Sequence, residues 1–452
     1  MKIKNLFIVC VCLLCSGVLK AQELSETEEH LSRTTNIENS ILMLQRFKVS
    51  GYIQTQFQYA QWCADGYNFK LQNRLNSIEQ AENLDYNRFG VRRGRIKFTY
   101  DDGLFQAVFQ PDFTQGGTGG NHLTFKDVYL ALKDPWFGTN ILKAGIFDRP
   151  FGHEIAYSSS RRESPERSRI FQSLFPDERD IGAMLTLQPA KSSPLNIFKL
   201  EGGLFVGNGI SPQISNKMDF IGHLSFAQPI GFNAVISGGV SGYFGNVLQN
   251  DESVYVMKDN VFQLREAPNK DNITEYAKRQ YIGFDAQLSM VTAAGFTNLR
   301  AEYIVGEHPF AGGTNAKLTA LRTGPVYMRK ISGGYVLLAQ DLGTTPFTII
   351  AKYDWYNPNT EVSGNDIAKS VSEGQQKTGT GDISRTTTGL GLQWRIHSAI
   401  KLTAYYDMVK NETTENLKEK KNEDGKYNNA NDYGYETDRP ENVFTLRLQY
   451  KF

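Results

Sequence analysis

The chain has 452 residues, and its 49 Lys and Arg against 48 Asp and Glu leave it electrically near neutral. That argues against a nucleic-acid binder, whose domain would be clearly basic. Hydrophobic residues make up 40 %, ample for burial, which excludes a disordered chain; beyond the first 21 residues no apolar run approaches the ~18 residues of a membrane-spanning helix, so a helical membrane protein is excluded as well.

The basic stretch Met1–Lys4, the apolar stretch Leu6–Leu14 and the cleavage point after Ala21 predict a secretory signal over residues 1–21. Cys10, Cys12 and Cys15 leave with it. Cys63 alone remains, so neither an internal disulfide nor a cysteine metal site is expected. His30, His122, His153, His223, His308 and His397 are scattered, with no pair at ligand spacing, and no metal or other cofactor is predicted. Residues 22–46 carry Ile37, Ile41, Leu42 and Leu44 at weakly helical spacing and read as a short periplasmic segment.

From Phe47 the period changes to two. Phe47, Val49, Ile53, Phe57 and Tyr59 share one face; Lys48, Ser50, Gln54, Gln56 and Gln58 share the other. Such alternation predicts a strand with one apolar and one wet face. The pattern returns at Phe105–Gln110, where Phe105, Ala107 and Phe109 alternate with Gln106, Val108 and Gln110. It returns at Tyr281–Met290 and Gly389–Ile396, and it ends the chain with Phe444, Leu446, Leu448, Tyr450 and Phe452 against Thr445, Arg447, Gln449 and Lys451. In all, sixteen such segments begin near Phe47, Phe89, Leu104, Leu123, Leu142, Ile181, Phe198, Met218, Asn233, Gln280, Thr297, Pro325, Thr348, Thr386, Ile400 and Asn442.

The segments between them alternate long and short. Asp101–Gly103, Gln228–Phe232 and His397–Ala399 are tight; Asp148–Asp180, Gly245–Arg279 and Asn411–Glu441 are long. Short turns at one end and long loops at the other are the plan of an outer-membrane barrel. In hydrocarbon every backbone polar group needs a partner, so only a closed sheet spans with strands. The prediction is an all-β, sixteen-strand antiparallel transmembrane barrel over residues 47–452, with short periplasmic turns and long extracellular loops. A barrel of that size is wide enough for an aqueous channel. Tyr59, Tyr100, Phe113 and Tyr356 at strand ends are expected in the aromatic girdles. Loop 148–180 is expected to fold inward as the constriction.

Several motifs resemble the phosphate-selective porin O/P family. Arg88–Ile96 (RFGVRRGRI) resembles its Arg-rich second strand, and Leu142–Phe147 running into Pro150-Phe151-Gly152 is similar to its fifth strand entering the constriction loop. Glu178-Arg179-Asp180-Ile181-Gly182 resembles the exit from that loop, with Glu178 where Gly is more usual. Lys352–Thr360 resembles a late-strand pattern of Bacteroidetes-type members, and the terminal Phe452 resembles the aromatic end of the signal read by the barrel assembly machinery. The resemblance spans Phe47 to Phe452 and implies a homotrimeric diffusion pore in the outer membrane, some members being selective for phosphate or polyphosphate.

The candidate pore-lining and anion-binding residues are basic. Arg93, Arg95 and Lys97 recur every second residue, and Lys48 and Lys143 fall on inward phases of their strands. A column of cations on one wall favours small anionic solutes through field and hydrogen bonds. The loop adds Arg149, Arg161, Arg162, Arg167 and Arg169, but its acids match them, and the alternation over Arg161–Arg167 predicts a salt-bridged helical plug. Asp112, Asp127, Asp285 and Asp354, also on inward phases, weigh against the cations. No nucleophile elbow, phosphate-binding loop or zinc-binding pair is present, so no catalytic residue is assigned. The alternatives to a channel are a plugged structural or adhesive barrel and an outer-membrane hydrolase using His223.

Overall fold

A computed structural model describes residues 45–64, 85–116, 120–176, 178–265, 269–311, 321–322, 324–423, 425, 427 and 430–452. The predicted signal 1–21 and nearly all of 22–46 lie outside the described residues. Sixteen long strands follow one another: β1 (Phe47–Ala60), β2 (Tyr86–Asp101), β3 (Phe105–Gly116), β4 (Gly120–Lys133), β5 (Ile141–Asp148), β6 (Arg179–Leu187), β7 (Phe198–Phe205) and β8 (Asp219–Ile230). The second half comprises β9 (Ala234–Gln249), β10 (Tyr276–Thr292), β11 (Gly295–Ala311), β12 (Val326–Asp341), β13 (Phe347–Asn357), β14 (Arg385–His397), β15 (Ile400–Asn411) and β16 (Val443–Lys451). Each pairs antiparallel with the next, and β16 returns to β1 in the register Tyr52↔Lys451 to Ala60↔Val443. The sheet is therefore closed and has no edge, as a lipid-facing sheet requires.

The packing is inverted relative to a soluble protein. On β10, Ile282 and Phe284 are 47 % and 49 % exposed, while Tyr281 and Asp285 on either side of them are buried. Outward rings form rows across strands. Phe98 stacks on Phe47 at 6.1 Å and on Phe109 at 6.3 Å, and Trp355 stacks on Tyr303 and Tyr353. Tyr59 and Phe113 face outward with them. Tyr356 does not: it shares the inward phase of Lys352 and Asp354 and is buried in the barrel core, so the girdle assignment is corrected there.

Among the described residues three strands carry an extra residue, one of them Ile396 at the end of β14, between Arg395↔Lys401 and His397↔Ile400. The β1–β2 register slips between Gln54↔Arg93 and Thr55↔Val91, leaving Arg92 as a bulge. The β3–β4 register slips between Gln110↔Asp127 and Pro111↔Phe125, leaving Lys126 as the extra residue. Pro111, which has no N–H to give the ladder, sits where the ladder is already broken. At the extracellular end, short strands Val254–Lys258 and Val261–Leu264 form a hairpin, its first strand parallel to the start of β12.

Loop 149–178 turns back into the barrel. Its only regular element among the described residues is α1 (Arg169–Leu174). The predicted helix over Arg161–Arg167 is replaced by turns and bends, because Pro165 interrupts it and the Arg162 guanidinium is drawn to the carbonyls of Ser164 and Pro165. Phe151, Ile155, Ile170, Phe171, Leu174 and Phe175 are buried against inward rings of the wall. Phe171 meets Tyr335 edge-on at 6.3 Å and Phe175 meets Tyr281 at 5.9 Å. Gly283 on β10 makes room: a Cβ there would lie 2.7 Å from the Phe151 ring. Burying such rings contributes about 1.5–3 kcal/mol each, which holds the loop inside rather than in solvent.

Candidate pore constriction

The loop is also fixed by charge. Glu166 at its tip accepts two hydrogen bonds from Arg92 (2.8 and 3.0 Å), one from Arg93 (3.0 Å) and one from Arg447 (2.9 Å), with Arg162 at 3.9 Å. Burial acts to raise the pKa of Glu166, but these guanidiniums outweigh it and hold the carboxyl well below the usual range. Four arginines on one carboxylate leave the cluster with a net positive charge. Arg92 reaches it because the bulge turns two successive residues, Arg92 and Arg93, toward the lumen. Arg447 reaches it because closure sets β16 beside β1, where Arg447 Nε also donates to Gln56 Oε1 at 2.9 Å.

The other candidates separate into distinct settings. Arg95 pairs with Asp112 at 2.8 Å and donates to Ser159 Oγ of the loop at 3.1 Å. Lys97 stands 3.6 Å from Asp127, its side chain 33 % exposed. Lys48 is exposed at the periplasmic rim, opposite Thr99. Lys143 lies over the rings of Tyr129 and Phe147 at 4.9 and 5.2 Å. Arg161 is exposed, while Arg149 pairs with Asp180 at 3.0 Å. Arg167 fastens the loop to itself, donating to the carbonyls of Glu154 and Ile155 at 2.8 and 3.0 Å and pairing with Glu178. Arg169 is buried, with its backbone N–H directed at Asp354. The structure thus brings Arg93 and Arg162 together at Glu166 and makes Arg149 and Arg167 fasteners of the loop.

The opposite wall carries both signs of charge. Glu302 on β11 accepts the backbone N–H groups of His153 and Glu154 at 2.8 and 2.6 Å and the Tyr335 hydroxyl at 2.6 Å. Lys352 stands 3.4 Å from Glu154 and 3.7 Å from Asp354, and Arg300 pairs with Glu163. Burial acts to raise Glu154, and Lys352, Ser168 and the loop arginines lower it overall. Cations therefore dominate the β16–β1–β2 side, whereas the β10–β13 side mixes Arg300 and Lys352 with Asp285, Glu302 and Asp354.

Sequence reading missed Arg92, Arg447, Arg300 and Lys352 as partners of the loop. The signal for Arg447 was available in its inward phase; that for Arg92 was not, because the alternation it breaks is set by the bulge. Among the described residues no group of metal-binding side chains is present. Among the described residues, the lumen toward the periplasmic turns includes a cavity of about 700 Å³ beneath His153 and Tyr157 and another of about 570 Å³ beside Lys401 and Lys451.

A family model described as phosphate-selective porin O and P matches residues 67–339. No curated protein matches the chain. Among solved structures it is similar to a Salmonella typhi OmpF complex with daunomycin (10 % identity, 90 % of this chain and 97 % of that one, TM-score 0.49). It is likewise similar to the trimer form of the Vibrio cholerae outer-membrane protein OmpT (11 %, 90 % and 99 %, 0.47) and to Acinetobacter baumannii OccAB1 (10 %, 90 % and 96 %, 0.42).

Proposed function

We propose that this chain, which belongs to the phosphate-selective porin O and P family, is an outer-membrane channel with a mild preference for small anions, phosphate among them. The observation that carries the preference is the group Arg92, Arg93, Arg162 and Arg447 around the single carboxylate Glu166. Low-dielectric walls focus such a field. In 0.1–0.15 M salt its reach is about 8–10 Å, comparable with a constriction lined by side chains. Guanidinium groups also match phosphate oxygens in a two-point grip. Neutral and polar solutes pass by diffusion in this reading, and the barrel works as a homotrimer in outer-membrane lipid after signal-directed export and insertion by the barrel assembly machinery. A second reading, a plugged structural barrel, draws support from the aromatic core that fills the space between the loop and the β9–β13 wall.

Planar-bilayer recordings in a KCl gradient separate the two. A conducting pore with a reversal potential on the anion side supports the proposal, and Arg92→Gln with Arg93→Gln should move that potential toward cations. No conductance would favour the plug; a cation-selective wild type would sink the anion preference.

A further inference from the structure

The periplasmic cavity of about 700 Å³ beneath His153 and Tyr157 has chemistry unlike that of the arginine cluster. Its wall is made by residues of four consecutive strands, β7 to β10, and by the turn between β6 and β7, which contributes Lys191, and its roof by His153 and Tyr157 of the loop. Across the wall runs a fixed relay. Ser237 Oγ donates to Gln287 Oε1 at 2.7 Å, and Gln287 Nε2 donates to Asp285 Oδ1 at 2.6 Å. His223 Nε2 lies 2.8 Å from Asp285 Oδ2 and must carry the proton, since the carboxylate only accepts. Gly239 permits this, because a Cβ at that position would collide with both His223 and Asp285. The carboxylate is thus oriented by a donor on each oxygen and keeps acceptor capacity for a ligand.

The cavity has no charge preference, as Lys191 and Lys199 offset Glu201 and Asp285, with Lys199 and Glu201 paired at 2.8 Å. It also has an apolar surface: the His153 ring lies against Tyr157 at 5.0 Å. His153 Nε2 is buried with no hydrogen-bond partner in the protein. Burial and Arg300 push the His153 pKa down to about 4, so this ring is neutral at physiological pH. Oriented acceptors, amide and hydroxyl groups, a neutral ring face and balanced charge suit a ligand with many hydroxyls and no net charge.

We propose that this cavity is a binding site for neutral saccharides, separate from the anion path at Glu166. Binding there does not require the lumen to conduct, so it is measured on the full barrel in a detergent without a sugar headgroup, by calorimetric titration with maltotriose. Saturable binding is expected at millimolar maltotriose. Asp285→Asn and Ser237→Ala should each weaken it, the first by about tenfold or more, as loss of a charged hydrogen-bond partner does. Inorganic phosphate should not displace it. Heat-modifiable mobility on gels establishes that each variant is folded, and Ser237→Ala, on a small surface-lining side chain, stands in if Asp285→Asn fails that check. Absence of saturable binding by wild type, unchanged affinity in the folded variants, or displacement by phosphate would each overturn the proposal, whatever the reversal potential shows.

Discussion

Glu166 is one carboxylate against four guanidiniums, and this imbalance makes its removal informative. Glu166→Gln deletes the only acid of the cluster while sparing its shape. The reversal potential in a KCl gradient should move further toward anions, and a shift toward cations would contradict the field argument. Removing one partner of a buried ion pair costs about 3–5 kcal/mol, so the loop tip should also loosen and the open current become noisier. Glu178 poses a different balance. Its φ of +66° lies in the left-handed region, where a non-glycine residue is disfavoured by about 1–2 kcal/mol. Its carboxylate, however, pairs with Arg167 and stands 3.0 Å from Arg179 and 3.9 Å from Lys126. Burial raises its pKa, but Arg167, Lys126 and Arg179 together hold it well below the carboxylate range. The pairs outweigh the backbone cost, so Glu178→Gly should relax the backbone yet destabilise the loop by about 2 kcal/mol net. Faster amide hydrogen exchange over residues 153–168 would register this; slower exchange would mean that strain dominates.

At the scale of strands, alternation was enough to place every barrel strand, because lipid outside and water inside impose a period of two on each of them. It was not enough where the period breaks. Residues 93, 95 and 97 share a face as their spacing requires, but Arg92 joins them only through the bulge, which no composition rule at that position signals. Tyr356 looked like a girdle residue from its place near a strand end, yet its phase with Lys352 and Asp354 turns it into the core. The hairpin Val254–Leu264 and α1 are too short to establish a period of their own and are held by what they pack against. The loop's sequence is rich in both charge signs, and its inward course depends on partners more than 70 residues away, such as Arg92 and Arg447. The bulge itself is testable. Deleting Arg92 would join Arg93 directly to Val91, keeping Gln54↔Arg93 and Thr55↔Val91 in unbroken register. The barrel should still fold and show heat-modifiable mobility, with the reversal potential moved toward cations by the loss of one guanidinium. Failure to fold would mean that the twist of the bulge, rather than its charge, is what the barrel needs.

For the molecule as a whole the decisive contact is the one between its two ends. Fifteen neighbouring strand pairs can form as hairpins or after local loop closure, but β1 and β16 are nearly 400 residues apart in sequence, and their pairing comes at the highest entropic cost. Until it forms, both strands expose unpaired N–H and C=O groups, which hydrocarbon does not tolerate. Phe452 extends this seam by one more residue. Its N–H donates to the Gly51 carbonyl and its carbonyl accepts from the Gly51 N–H, both at 3.0 Å. Its ring stacks on Tyr450 at 6.0 Å on the lipid face. Phe452→Leu keeps the backbone pair and an apolar side chain, whereas deleting Phe452 removes both hydrogen bonds and uncovers Gly51 at the rim. The deletion should therefore lower the amount of heat-modifiable barrel in outer membranes severalfold, while Phe452→Leu lowers it less. Conductance of whatever barrel does assemble should be unchanged in both, since Phe452 lies far along the wall from Glu166 and faces away from the lumen. Equal amounts of wild-type and deleted barrel would show that the seam closes without its last residue. A loss with Phe452→Leu as large as with the deletion would place the requirement in the aromatic ring, read during assembly, rather than in the hydrogen bonds of the closed sheet.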